Sequence, residues 1–329
     1  MALCDRLEAA QAERESRRDR LAVASLDRLN NGADADEFRE HVGFYLRHLP
    51  HLTTRSEHIQ QLRQTILNLA VRGKLVPQDL NDEPASELLK RIQAQKVRLI
   101  RDGGIKKDKS IWDGIPNDPP HEVPAKWIWA RVQDVFEISR GGSPRPAGDP
   151  RFFGGAIPWI TVREITKDSE KYLLTTEGTL TEEGSCRSRF IDPGDLLLTN
   201  SGATLGVPKI SRIRGCMNDG VAVLRLFHSV PLNDFAYLYL QSQTEAFRLV
   251  NQGMGQPNLN TPIIAGWFFP LPPLSEQYRI VAKVEELMTL CDRLEAQLTI
   301  TQTESRHLLD TVLHEALKLR TGNDRSAHL

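Results

Sequence analysis

From Ser275 onward, apolar residues fall at Ile280, Val284, Leu287, Cys291, Leu294 and Leu298, in steps that alternate between four and three. That spacing keeps one apolar stripe on one side of a helix and predicts a coiled-coil seam. The stripe weakens at Thr301 and Ser305 and resumes at Leu308, Val312 and Leu313. Pro272 and Pro273 close the preceding segment, and Ser275-Glu276-Gln277 supplies a helix start. A helix running through Leu317 would reach roughly 60–65 Å at about 1.5 Å per residue. Near the other end of the chain, Leu3-Cys4-Asp5-Arg6-Leu7-Glu8-Ala9 is repeated as Leu290-Cys291-Asp292-Arg293-Leu294-Glu295-Ala296. Two helical segments that bracket one globular unit predict a spacer carrying a domain, not a repeat array.

The first of these segments continues through a charged run, Glu13 to Arg20, read as a solvated helix face, and fades near Asn30-Asn31-Gly32. Asp36 to Leu49 forms a short predicted helix. Ile59, Leu62, Ile66 and Leu69 repeat the three-four spacing, and Arg72-Gly73-Lys74 closes that helix on a glycine. Glu83-Pro84-Ala85 opens another, which ends before Asp102-Gly103-Gly104. Lys106 to Pro124 mixes Lys, Asp, Gly and Pro without a period and reads as a linker.

Past Lys126 the texture changes to short β-rich runs between Gly, Pro and Asn turns: Trp127 to Ile138, Ile157 to Val162, Asp195 to Thr199 and Gly220 to Phe227. Asp234 to Val250 reads as one helix, and Trp267 to Pro272 as a last strand. The fold class is therefore α+β: one mixed α/β domain flanked by long helices that form an antiparallel coiled-coil spacer. The expected domains are a helical spacer over 1–73, a helix and linker over 74–124, the β-rich domain over 125–274, the long helix over 275–317 and a tail over 318–329.

A formal net charge of −1 across 329 residues advertises no global basic field, although a local basic face would suffice for nucleic acid. The four cysteines form no CxxC pair, so neither a zinc site nor a disulfide framework is indicated. No apolar stretch of spanning length and no signal peptide are visible, and a cytoplasmic protein is expected. There is no GxxxxGK[ST] phosphate loop. Asn117-Asp118-Pro119-Pro120 is similar to the Asp-Pro-Pro element of amino-methyltransferases, but His121 follows where a base-stacking aromatic is required. No cofactor is expected on this chain, no metal site and no catalytic residue.

The stretch from Leu271 through Pro-Pro-Leu-Ser-Glu-Gln-Tyr-Arg-Ile-Val to Met288 resembles the signature of the specificity subunit of type I restriction–modification systems. Trp127 to Arg145, Phe153 to Ile160, Asp192 to Leu198 and Gly253 to Leu259 are similar to successive elements of a target-recognition domain, and Ile66 to Leu89 is similar to the segment that leads into one. The resemblance covers nearly the whole chain in the family's order. A complete member carries two recognition domains and this chain carries one, so it looks like a half-sized or truncated subunit.

The resemblance implies a non-catalytic reader of double-stranded DNA that takes one half of a bipartite target. Methyltransferase subunits would bring S-adenosylmethionine, and a restriction subunit would bring ATP and Mg2+. A second copy of the chain, or a separate complementing half-subunit, would supply the other reader; no membrane partner is implied. The expected DNA-facing residues are Arg140, Ser143, Arg145, Thr161, Arg163, Asn200, Ser201, Thr204, Asn218, Gln256 and Asn258, because Arg pairs with guanine edges and Asn or Gln with adenine. Gly141, Gly142, Gly202, Gly253 and Gly255 are expected to admit phosphates to the backbone. The expected helix–helix interface is Leu7, Ile59, Leu62, Ile66, Leu69, Ile280, Val284, Leu287, Cys291, Leu294 and Leu298. A coiled-coil assembly protein whose β-rich domain binds protein, not DNA, is the competing reading, and salt-sensitive DNA binding separates the two.

Overall fold

The computed structural model describes residues 2–31, 35–105, 111, 114–202, 204–227, 232–250 and 258–326. Four helices open the chain: α1 (Ala2–Asn31), α2 (Ala35–Leu52), α3 (Ser56–Val71) and α4 (Ala85–Arg101). Short elements then alternate: β1 (Ile128–Arg131), α5 (Val132–Val135), β2 (Phe136–Arg140), β3 (Phe153–Ile160), α6 (Val162–Thr166), β4 (Tyr172–Leu173), β5 (Thr179–Leu180), α7 (Glu182–Ser185), β6 (Arg189–Ile191), β7 (Leu196–Thr199), β8 (Pro208–Ser211), β9 (Gly215–Met217) and β10 (Val221–Leu226). Helices α8 (Asn233–Ser242), α9 (Thr244–Arg248) and α10 (Thr261–Gly266), strand β11 (Phe268–Leu271) and helix α11 (Leu274–Ser326) complete the order. The chain divides into two compact units, Met1–Ile66 with Val284–Leu329, and Leu67–Lys283.

The first unit is all helical. Ala22, Leu26 and Leu29 lie on one face of α1 by their spacing and pack with Tyr45, Leu49 and Leu52 of α2 and Leu62 of α3. Polar contacts fix the register of α1 against α3. The carboxylate of Asp19 accepts from Nε2 of buried His58 at 3.0 Å and pairs with Arg55, while Nδ1 of His58 accepts from the Thr54 amide at 3.3 Å.

Among the described residues, the second unit holds all the strands. Its five-stranded sheet runs β2-β10-β7-β8-β4, its four-stranded sheet runs β5-β3-β9-β6, and β1 pairs with β11. Leu196, Leu197 and Leu198 of central β7 are fully buried, as a strand covered on both faces requires. Ile160, Ile165, Leu173, Ile191, Leu197, Met217, Val221 and Val223 make one core cluster. Phe269 of β11 anchors a second, with edge-to-face contacts to Phe136 at 5.6 Å, Tyr239 at 5.3 Å and Phe235 at 6.1 Å. This is the mixed α/β domain with a long C-terminal helix that the hydrophobic pattern predicts.

Two elements depart from it. The strand expected over Trp127 to Ile138 is interrupted by α5, because the Asp134 carboxylate accepts the Arg131 amide at 2.8 Å and caps a helical turn there. The single helix expected over Asp234 to Val250 is two, broken at Gln243, where the Ser242 hydroxyl turns back onto the Tyr239 carbonyl at 2.7 Å. Among the described residues no helix is long and apolar enough to cross a membrane.

Candidate nucleic-acid interface

Strand pairing brings the candidate loops to one place. In β10, Val221 lies opposite Thr199 and Ala222 opposite Arg140; in the other sheet, Ile160 lies beside Met217. Thus β2, β3, β7 and β9 all end, and β10 begins, at one edge of the second unit. The segments that follow are 141–145, 161–163, 200–204 and 218–220.

Backbone hydrogen bonds lock these segments together. The amide of Gly141 donates to the Val221 carbonyl at 3.0 Å and that of Gly142 to Met217 at 3.2 Å. Asn218 N–H donates to Ile160 at 2.9 Å, and Asn200 N–H to Gly220 at 2.9 Å. Leu259 N–H donates to the Asn200 carbonyl at 2.8 Å, beside a bridge between Ser201 and Asn258. The Thr199 hydroxyl donates to the Thr204 carbonyl at 2.7 Å and accepts from the Val207 amide at 2.8 Å, closing the β7–β8 connection. Loops held by backbone bonds to strand ends are a rigid platform for whatever side chains they carry.

The side chains sort into two groups. Arg140 is exposed and donates from Nε to the Asp219 carbonyl at 2.6 Å; Ser143 donates its hydroxyl to the Asp219 carboxylate. The Arg145 side chain is 72% exposed with a terminal nitrogen 3.9 Å from the Asp219 carboxylate, and that of Arg163 is 79% exposed and 3.4 Å from Glu177. Thr204 is exposed, and Thr161 and Ser201 are half-buried.

The others point inward. Asn200 is only 1% exposed, and its side-chain oxygen, like that of Asn258, has no hydrogen-bond partner among the described residues. The Asn218 side-chain oxygen accepts the Gly220 amide at 3.1 Å, which shapes the turn. Asn200 and Asn218 thus help shape the loops at this edge, as short amide side chains in turns often do. A Cβ on Gly141 would lie 2.0 Å from the Asn218 carbonyl oxygen, and one on Gly142 2.9 Å from that of Arg187, so the protein's own backbone closes against both glycines on that side. Gly202, at φ +84° with nothing within 4 Å of an added Cβ, keeps an open approach. Gly253, Gly255 and Gln256 lie outside the described residues.

Two residues of this edge escaped the sequence reading. Asp219 sits at its centre and touches Arg140, Ser143 and Arg145. Arg187, whose carbonyl abuts Gly142, is exposed and stacks its guanidinium over Phe152 at 4.4 Å. Asp219 directly follows Asn218 and precedes a glycine, a turn signal that could have drawn attention to it.

Of the expected helix-interface residues, Ile59, Ile66, Leu69, Ile280, Val284 and Cys291 are buried, while Leu62, Leu287, Leu294 and Leu298 are half-buried. Leu7, in the first copy of the repeated heptapeptide, is 57% exposed and stands in solvent. The second copy is engaged within the first unit. Arg63 of α3 reaches Asp292 at 2.7 Å and Glu295 at 2.9 Å, and burial pushes both the Cys291 thiol and the nearby Tyr45 phenol up, the latter to about 12.

Arginine and hydroxyl side chains are thus offered along this edge from backbone-locked loops. The family described as type I restriction modification DNA specificity domain matches residues 124–301, more than half of the sequence, and the chain belongs to that family. It is 29% identical to the EcoAI specificity subunit and 30% identical to the EcoEI specificity subunit, both type I restriction enzymes of Escherichia coli; each match covers 96% of this chain, and 54% and 55% of those relatives. The chain thus spans about half the length of the curated relatives it matches. Among solved structures it is similar to an HsdS subunit from Thermoanaerobacter tengcongensis, at 20% identity and a TM-score of 0.45 over 72% of this chain and 53% of that one. A structure from work on assembly and conformational transition of the type I R-M system matches at 21% identity and a TM-score of 0.46, over 68% of this chain and 54% of that one. Specificity subunits are non-catalytic, so no enzymatic activity is expected of this chain. Among the described residues no group of three or more His, Cys, Asp or Glu side chains is placed to hold a metal ion.

Proposed function

We propose that this chain reads one half of a bipartite target in double-stranded DNA for a type I restriction–modification complex. The observation that carries the proposal is the convergence of Arg140, Ser143, Arg145, Arg163 and Thr204 on one edge of the second unit. Arginine forks match guanine edges in the major groove and also neutralise phosphates, and the hydroxyls of Ser143 and Thr204 can serve either. The net charge of −1 is no obstacle, since three of the four segments that meet there contribute an arginine or hydroxyl to one small area.

In this reading the helical unit docks methyltransferase subunits, which bind S-adenosylmethionine, and a restriction subunit that uses ATP and Mg2+. The second half of the target is read by a second copy or by a complementing half-subunit, and a helical spacer converts protein length into base-pair spacing.

The test is selection of duplexes from a randomised library by the full chain, followed by sequencing and a salt titration. The expected result is an enriched half-site, bound more weakly as salt rises, with Arg145→Ala and Arg163→Ala weakening or relaxing the preference. An unchanged library after repeated rounds, or an enriched site indifferent to both substitutions, would overturn the assignment.

A further inference from the structure

The turn between β9 and β10 places one acidic residue among the arginines, and the whole 140–145 segment is tied to it. The Asp219 carbonyl accepts from Arg140 Nε at 2.6 Å. Its amide donates to the Ser143 hydroxyl oxygen at 3.3 Å, and that hydroxyl donates to Oδ1. Its Oδ2 lies 3.9 Å from an Arg145 terminal nitrogen.

We propose that Asp219 is a positioning residue that determines specificity at the DNA-reading edge, an inference that rests on the function proposed above. Two physical effects support it. The first is orientation. A guanidinium has five N–H donors in one plane; bonding Nε to a fixed carbonyl restricts that plane and leaves the donors of the two terminal nitrogens to match O6 and N7 of guanine. Ser143 holds the turn in place through both the amide and the carboxylate of Asp219, so Arg140 meets a base with its geometry already set and little orientational entropy left to lose.

The second effect is repulsion. Phosphate contacts supply affinity without regard to sequence. A carboxylate at the centre of the edge disfavours a phosphate there, and it also competes for Arg145. Close approach is then favourable only where a base edge satisfies the donors, so Asp219 lowers random binding and sharpens the selected site. A merely structural role would not separate these: a loosened loop weakens both kinds of duplex together.

The experiment compares the full wild-type chain with Asp219→Asn and Ser143→Ala on two probes, a random-sequence duplex and the duplex that the wild type selects. Asp219→Asn, nearly isosteric, is expected to bind the random duplex about threefold more tightly and the selected duplex about tenfold more weakly. Ser143→Ala removes the tether and keeps the charge, so it should weaken the selected duplex with no gain on the random one. Equal selectivity in wild type and Asp219→Asn, or a parallel loss on both probes, overturns the role of Asp219 while leaving the wild-type reader intact. Should Asp219→Asn fail to fold, Asp219→Ser, which also removes the charge, decides on the same two probes: tighter binding of the random duplex with weaker binding of the selected one supports the proposal, and any other pattern overturns it. A wild type that selects nothing overturns the underlying function, and the Asp219 role with it.

Discussion

Replacing Gly141 with alanine tests whether the reading edge is held by backbone contact. The added Cβ would lie 2.0 Å from the Asn218 carbonyl oxygen, 2.4 Å from that of Met217 and 2.7 Å from the Asn218 carbonyl carbon. All three are main-chain atoms, so no side chain can swing aside and the two strand ends must separate by about 1 Å or more for ordinary contact. That movement breaks the Gly141–Val221 and Gly142–Met217 hydrogen bonds, at 3.0 and 3.2 Å. Each is worth about 1 kcal/mol net, and residual overpacking adds about 1–3 kcal/mol. With partial relaxation of the loops, the expected loss of unfolding free energy is about 2–4 kcal/mol, read as a lower urea midpoint. Selectivity for the chosen duplex should fall as well, because Arg140 and Ser143 flank the displaced glycines. Stability within about 0.5 kcal/mol of wild type, together with unchanged selection, would refute the reasoning.

Other substitutions probe separate parts of the chain. Gly43 lies inside α2 with nothing within 4 Å of an added Cβ, so Gly43→Ala should stabilise by about 0.5–1 kcal/mol in the same assay; a destabilised variant would contradict the open space. Arg63→Ala leaves Asp292 and Glu295 without their shared cation and should cost about 1–2 kcal/mol at low salt and less at high salt. No salt dependence of that difference would show the pair to be inert. Burial, with Arg72 and Lys74 nearby, pushes His121 down from 6.5 to about 4. Its folded value is the lower, so the unfolded chain takes up the proton first, and this contribution is complete above pH 6.5 and fades as the pH falls towards 4. His121 is half-buried, so the size is about 1–2 kcal/mol after allowance for solvent. His121→Phe should flatten that part of the pH–stability curve, and identical curves would reject the attribution.

The parts of this architecture that could be read from the chain are those with long, regular patterns. The three-four spacing from Ile280 to Leu298 marks α11, and the apolar runs at Leu196–Leu198 and Val221–Leu226 mark two central strands. What stayed hidden was short. Strands β4 and β5 have two residues each and β6 and β9 three, too few for any alternation to show, and their conformation is set by neighbours. The candidate site was half legible. Arginines and hydroxyls in Gly-rich loops were found because their chemistry shows in the letters. The direction each side chain takes does not: Asn200 and Thr204 sit four residues apart in one loop, one buried beneath the edge and one exposed on it. Asp219 was passed over because an acidic residue argues against DNA until its three partners are seen around it.

The bonds joining the strand ends at this edge run mostly between main-chain amides and carbonyls, and this governs how the protein can change over generations. A contact made by the backbone survives nearly any replacement of the side chain above it. Arg145, Arg163 and Thr204 can therefore be exchanged one at a time with little threat to folding, while Gly141 and Gly142, where the main chains meet, must stay as they are. Under the proposed function, such a division lets variants explore new targets along positions where failure costs only recognition, so a lineage can trade one DNA sequence for another without passing through an unfolded ancestor.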